Sequence, residues 1–307
     1  MGLSIVLIML CHNSLYFVGN CYWINEYVKR LFQCGVDCFF ILSGIGCYSS
    51  IKKNNVMKFY FRRMNRLIPS YLLVLIIWLI PWIFVFNDTL HNFLWNYCLL
   101  TFFIKGCLSE WYIAAIIVLY ILTPVLVKVV DNKSIFVISM IGIIGVSLII
   151  SLCGIEYKID IMISRVPAYL MGLYFGKLLY EGKNLELKKS NLLMMFFLIL
   201  LAILIYMLIC STNFWVGVRL LFLPLAISLL FLLSKCEFHL LAILGTITLE
   251  IYLIHEKVLL LLEELFITKQ NGLNMLFVNI FAIILSCILA YFVKNVVTKI
   301  IGCFTRK

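Results

Sequence analysis

Residues 110–153 read EWYIAAIIVLYILTPVLVKVVDNKSIFVISMIGIIGVSLIISLC. Glu110 and Lys128 bound a first run that carries no charge between them, and the second run, from Ser134 to Cys153, carries none at all. Only the polar turn around Asp131, Asn132 and Lys133 parts them. A helix rises about 1.5 Å per residue, so roughly 20 apolar residues cross the hydrocarbon core of a bilayer. Both runs have that length, and the pattern predicts two transmembrane helices joined by a tight turn.

The same character extends outward on both sides, through 2–18, 35–51 and 68–87 before this pair and 161–180, 191–210, 214–234, 240–262 and 273–297 after it. The expected fold is therefore all-α, a polytopic membrane bundle of about ten transmembrane helices. Residues 89–106, where Trp95, Phe102 and Phe103 stand among polar groups, read instead as an amphipathic helix at the membrane surface. Composition agrees: 64% of the chain is hydrophobic and 13% charged, with a mean hydropathy of +1.11. A soluble domain is about 45–50% apolar and about 25% charged. No internal repeat, low-complexity segment or long linker interrupts the chain, so residues 1–307 are expected to form a single membrane domain. The first segment has no basic leader and no small-residue cleavage site, and is expected to stay as a helix rather than be removed as a signal peptide.

A formal net charge of +11 would suggest nucleic acid in a soluble protein. Here the basic residues sort by membrane side, and no nucleic-acid partner is expected. With both termini placed in the cytoplasm, Lys29, Arg30, Lys105, Lys158 and Lys269 fall outside, and Arg165, Arg219 and Lys257 fall within spans. The remaining 17 of the 25 lysines and arginines lie on the cytoplasmic side, the bias that sets orientation in a plasma or inner membrane. Most of the 12 cysteines lie in or beside apolar segments and none forms a CxxC pair, so no metal site is expected. They read as buried thiols; Cys21 and Cys34 share the first outer loop, where an oxidising compartment would allow one disulfide that nothing in the sequence requires.

Charges inside a span cost about 2.5–3.5 kcal/mol each near the helix centre, so they should face the protein interior. His12, past the middle of the first span, is suited to remove a proton from a hydroxyl; the alternative is an interhelical hydrogen bond. In KFYFRRMNRLIPSYL, residues 58–72, Arg66 is three residues from Arg63 and four from Arg62, so the guanidiniums share a face before Pro69 closes the stretch. Such a face binds phosphate bidentately, or simply anchors the helix at lipid headgroups. Asp37 opens the second span, where it would orient His12, receive an acceptor hydroxyl or pair with a neighbouring helix. Ser43 and Gly44 beyond it permit close helix contact. Glu110 and Trp111 stand at the mouth of the fourth span, with Glu110 the better candidate for sugar contact. Arg165 and Arg219 each require a carboxylate or an anionic ligand inside the bundle. In the run Glu250, Tyr252, His255, Glu256, Lys257, the residues Tyr252 and His255 share one helix face. His255 reads there as a structural or supporting histidine rather than a second base.

Six motifs in order resemble the membrane acyltransferase family called acyltransferase 3, which includes bacterial glycan O-acetyltransferases. They are MLCHNS at 9–14, GVDCFFILSG at 35–44, FRRMNRLIPSY at 61–71, SEWYIAAIIVLYILTPVL at 109–126, RVPAYLMGLYFGKL at 165–178 and LGTITLEIYLIHEKVLL at 244–260. The resemblance implies that His12 is the catalytic histidine and that Arg63 and Arg66 are the cytoplasmic RxxR pair linked to the acyl donor. It also implies an arginine about three turns ahead of the histidine, which this chain begins too late to hold. Either the domain is shortened at its N-terminus or that arginine is dispensable.

The expected function is transfer of an acyl group, acetyl from acetyl-CoA or another acyl-CoA, to a hydroxyl of a carbohydrate or lipid-linked glycan. His12 and Asp37 are the catalytic candidates, Arg63 and Arg66 the donor contacts, and Glu110, Trp111 and Arg165 the acceptor contacts. No tightly bound cofactor is expected, and lipid is the other constant partner. A transporter of a polar solute is the rival from another class, but residues 1–153 and 154–307 show no symmetry and no matching interrupted segments. A non-catalytic member of the same fold is the third reading. The charge sorting predicts that a cysteine placed at Asn54 stays unlabelled by a membrane-impermeant thiol reagent in intact cells and reacts in inverted vesicles. Labelling above the native thiols in intact cells reverses the orientation.

Overall fold

The computed structural model describes residues 1–12, 29, 31–106, 110–152, 159–183, 185, 188–209, 215–234, 236, 238–266 and 272–305, and among these there is no strand. Helix is the open form available to a chain in lipid, because each backbone N–H and C=O must be satisfied within its own segment. The helices are α1 (Gly2–His12), α2 (Cys34–Lys53), α3 (Val56–Phe84), α4 (Leu90–Tyr97), α5 (Leu99–Lys105), α6 (Trp111–Asp131) and α7 (Lys133–Leu152). They continue as α8 (Asp160–Ile163), α9 (Val166–Tyr180), α10 (Lys189–Ile209), α11 (Trp215–Leu233), α12 (His239–Thr246), α13 (Thr248–Phe266) and α14 (Gly272–Thr305).

Among the described residues five helices are long and apolar enough to cross a membrane: Cys34–Lys53, Val56–Phe84, Trp111–Asp131, Lys133–Ile150 and Phe277–Gly302. Five of the ten expected spans thus correspond to helices of membrane-crossing length and apolarity. Gly2–His12, Ser190–Ile203 and Arg219–Leu233 are apolar but shorter. The two remaining segments are each broken. Residues 161–180 divide into α8 and α9 at Ser164 and Arg165, and 240–262 divide into α12 and α13 at Ile247. Helix α13 also carries Glu250, Glu256, Lys257, Glu263 and Glu264, more charge than a lipid-facing span bears. The expected surface helix at 89–106 is two helices, α4 and α5; Thr89 caps the first by accepting from the Asn92 N–H. Cys21, one of the two cysteines of the first outer loop, lies outside the described residues.

The basic stretch does not close at Pro69. Helix α3 begins at Val56 and runs through both Pro69 and Pro81. Only Asn54 and Asn55 separate it from α2, and both work as caps: the Asn54 side chain donates to the Ser50 carbonyl at 2.8 Å, and Asn55 Oδ1 accepts the Lys58 N–H at 2.8 Å. Each proline removes one helix hydrogen bond, but long apolar flanks packed on neighbours hold the helix together across the gap. Large side chains remain exposed along the outer faces, among them Ile76, Phe84, Ile138, Phe197 and Phe281. An apolar surface of that extent fits lipid rather than water.

The chain packs as two compact units. One comprises Met1–Gly35, Phe61–Cys98 and Phe238–Lys307; the other comprises Val36–Tyr60 and Leu99–Glu237. In the first, α1 packs on α12 and α13, and α13 on α14. Trp78 of α3 and Phe93 and Tyr97 of α4 form a buried aromatic cluster with Leu261 of α13 packed against it. The Trp78 indole N–H donates to the Tyr97 hydroxyl at 2.7 Å, satisfying a polar group that hydrocarbon would not.

In the second unit α2, α6 and α9 run in the same direction. A Cβ on Gly44 would lie 2.5 Å from the Tyr169 carbonyl oxygen, and one on Gly176 would lie 2.8 Å from that of Ile45, so α2 and α9 touch backbone to backbone. Gly172 meets Ile41 in the same way, and its spacing to Gly176 is the small-xxx-small pattern of close membrane crossings. The close contact expected of Gly44 is therefore made. At the far ends of these helices the Asp131 carboxylate accepts from Tyr48 at 2.6 Å and from Lys52 at 2.7 Å. Lys177 donates to the Val130 and Asp131 carbonyls at the α6 C-terminus. Lys52 and Lys177, which the charge sorting puts on one side of the membrane, do gather at one end.

Candidate functional site

The beginnings of α2, α6 and α9 hold four of the expected site residues. Asp37 lies in the first turn of α2 and Arg165 immediately before α9. Arg165 donates to Asp37 in a fully buried ion pair, with side chains 2% and 1% exposed. The carboxylate that Arg165 requires is thus Asp37. The guanidinium also lies over the Phe222 ring, 5.4 Å from its centroid. Glu110 is buried at the N-terminus of α6, with its backbone carbonyl accepting from Ala114. Phe40, one turn beyond Asp37, packs against Trp111 with centroids 6.4 Å apart and edge-on to Tyr112 at 5.1 Å. Three parallel helices direct their positive ends here, which favours carboxylates at Asp37 and Glu110. Arg219 finds its carboxylate as well, Asp160 at 2.8 Å.

In the other unit His12 is the exposed last residue of α1. Its ring meets that of His255 on α13, with centroids 5.1 Å apart and planes at 75°. His255 is buried, and its Nδ1 lies 3.0 Å from the Ile251 carbonyl and 2.8 Å from the Tyr252 carbonyl. Carbonyl oxygens only accept, so Nδ1 carries the hydrogen and Nε2 holds the lone pair. The shared face expected of Tyr252 and His255 is seen, with ring centroids 5.8 Å apart. Neighbouring positions on α13 are polar and buried too. Glu250 accepts from the Ser70 hydroxyl at 2.8 Å, and Lys257 stands over the Tyr97 ring at 5.0 Å.

Arg63 and Arg66 stand on α3, Arg63 half-buried and Arg66 exposed. Phe59, Leu67, Ser70 and Val74 mark the buried face of this helix, and Arg63 falls in that series, four residues from Phe59 and seven from Ser70. Arg66 lies one turn before Ser70. The structure therefore groups Asp37, Arg165, Glu110 and Trp111 in one unit, and His12, Arg63 and Arg66 in the other.

Sequence reasoning did not find the pairing of His12 with His255 or of Ser70 with Glu250. The signal was present in Glu250, His255 and Lys257, three buried polar side chains on one helix, but their partners are distant in the chain. The ion pair yields a test of its own. Replacing Arg165 with methionine strands a buried carboxylate and should cost about 3–5 kcal/mol, whereas the double variant Asp37→Leu, Arg165→Met should recover most of that. Thermal unfolding in a single detergent reads both, and equal losses for the single and double variants would leave the pair without structural weight.

A family model described as an acyltransferase domain matches residues 2–294, nearly the whole chain. No curated protein and no solved structure matches it.

Proposed function

The chain belongs to the acyltransferase family, and from that premise we propose that it carries acetyl from acetyl-CoA to a hydroxyl of a cell-surface or lipid-linked carbohydrate. The observation that carries the reading is His12. It ends α1 on an exposed position, and its ring rests against a buried histidine held in a single tautomer by two carbonyls. A base needs access to its substrate and an orienting neighbour, and the exposed position and the adjacent His255 ring support that reading.

In the reaction the acceptor hydroxyl gives its proton to His12 as its oxygen bonds to the acyl carbon. The carbon–sulfur bond then breaks and the coenzyme leaves as a thiolate, which takes the proton from His12. Arg63 and Arg66 hold the donor phosphates: two guanidiniums one turn apart suit a pyrophosphate better than a single charge would. Arg165, occupied by Asp37, keeps the beginnings of α2 and α9 in register within their own unit. Both termini lie in the cytoplasm, on the donor side.

Two expected outcomes test this. His12→Gln keeps polarity and hydrogen bonding but is no base, so transfer should fall by about 10²–10⁴ with acetyl-CoA affinity nearly unchanged. Near-normal turnover, normalised to folded protein, removes the mechanism. Arg63→Ala and Arg66→Ala each lose a charge-assisted contact of about 1.5–3 kcal/mol, and should weaken acetyl-CoA binding about tenfold or more by calorimetry. Arg63→Lys should recover only part of it. Affinity within twofold of wild type for both alanine variants would return these arginines to membrane anchoring.

A further inference from the structure

His255 has a use that packing alone does not explain. Its Nδ1–H is consumed by two carbonyls of its own helix, which fixes the ring's orientation as well as its tautomer. Nε2, at the opposite side of the ring, is buried and finds no hydrogen-bond partner among the described residues. A buried acceptor left unmet costs about 1–3 kcal/mol, and a hydrocarbon of the same size would avoid that cost. The ring beside it belongs to His12, which must hold a proton during the proposed reaction. Hydrogen bonds of this kind are often open in the free enzyme and close when substrate is bound.

We propose that His255 is a positioning residue for His12: its Nε2 accepts the N–H of the His12 ring and leaves the opposite His12 nitrogen as base toward the acceptor hydroxyl. The inference rests on the reading of His12 as base. In the reaction His12 takes the hydroxyl proton on the nitrogen facing substrate, while its other N–H donates to His255 Nε2. The oxygen–acyl bond forms, the carbon–sulfur bond breaks, and the proton passes from His12 to the leaving thiolate. His255 keeps its one hydrogen throughout, and no further reactant is consumed. Its part is that of the orienting member of a nucleophile–base–orienter set, with an imidazole in place of a carboxylate.

Two substitutions separate positioning from packing. Asparagine places an amide where Nδ1 stood, keeping the bond to the helix carbonyls and losing the distal acceptor. Glutamine reaches the Nε2 position and offers an oxygen there. Label transferred from [14C]acetyl-CoA into the glycan and lipid fraction of membrane vesicles holding the full chain measures kcat and the KM for acetyl-CoA. His255→Asn should lower kcat by about 10²-fold with KM unchanged, less than the ~10⁴ lost on mis-setting a Ser-His-Asp tautomer, because imidazole is a weaker acceptor than carboxylate. His255→Gln should stay within about tenfold of wild type. In a His12→Gln background His255→Asn should add nothing, since the two act as a unit.

If His12→Gln is inactive while His255→Asn is normal, or if Asn and Gln behave alike, the positioning role is overturned and the base assignment stands. An active His12→Gln instead overturns the base assignment itself. The 15N spectrum of histidine-labelled protein, with His91 and His239 replaced, gives a reading that needs neither turnover nor a folded His255 variant. His255 should appear as the Nδ1–H tautomer, and finding it as Nε2–H overturns the proposal whatever the kinetics.

Discussion

Arg165 and Asp37 are both removed from solvent, and in a medium of low dielectric neither charge is tolerable without the other. One lies at the start of α9 and the other at the start of α2, so satisfying them aligns these helices in the same direction and register. The rest of that unit follows. With the beginnings fixed, Gly44 comes against the α9 backbone and Gly172 and Gly176 against that of α2, contacts that a side chain at those positions would block. At the other end the same register delivers Lys52 to the Asp131 carboxylate and Lys177 to the last carbonyls of α6. A cation at a helix C-terminus and carboxylates at helix N-termini complete an arrangement in which each charge meets an opposite partial charge.

The unit that holds His12 solves the problem of polar groups in an apolar environment differently. Helix α13 buries Glu250, His255 and Lys257 together, and each is met by another helix: Ser70 of α3, His12 of α1 and Tyr97 of α4. Pro69 stands one residue before Ser70 and leaves the Asn65 carbonyl without its usual donor, while the helix runs on unbroken through both residues. Buried charge on α13 thus meets α3, the helix that carries the two arginines, close to this proline. Such features are retained in membrane proteins chiefly where they line a path for a polar substrate.

The membrane character, the all-helical class and most helix positions were legible in the sequence because they rest on length and hydrophobicity, which are local. Capping by Asn55 and Thr89 belongs to the same local chemistry. The need of Arg165 and Arg219 for carboxylates was legible too, since the cost of a lone charge in lipid holds in any fold. Which carboxylates would answer was not, because Asp37 lies 128 positions from Arg165. Local reading also erred where packing decides continuity: the helix of the third span begins earlier than expected, at Val56, and the expected spans at 161–180 and 240–262 are interrupted.

The sequence by itself determined that this chain lives in a bilayer, that its few intramembrane charges face inward, and that its motifs follow one another as in a membrane acyltransferase. Tertiary structure alone decided who meets whom: Asp37 with Arg165, Ser70 with Glu250, and His12 with His255. The reason is that hydrophobicity is a property each residue carries with it. A hydrogen bond or ion pair between distant helices is a property of their register, and register is set only when backbones pack.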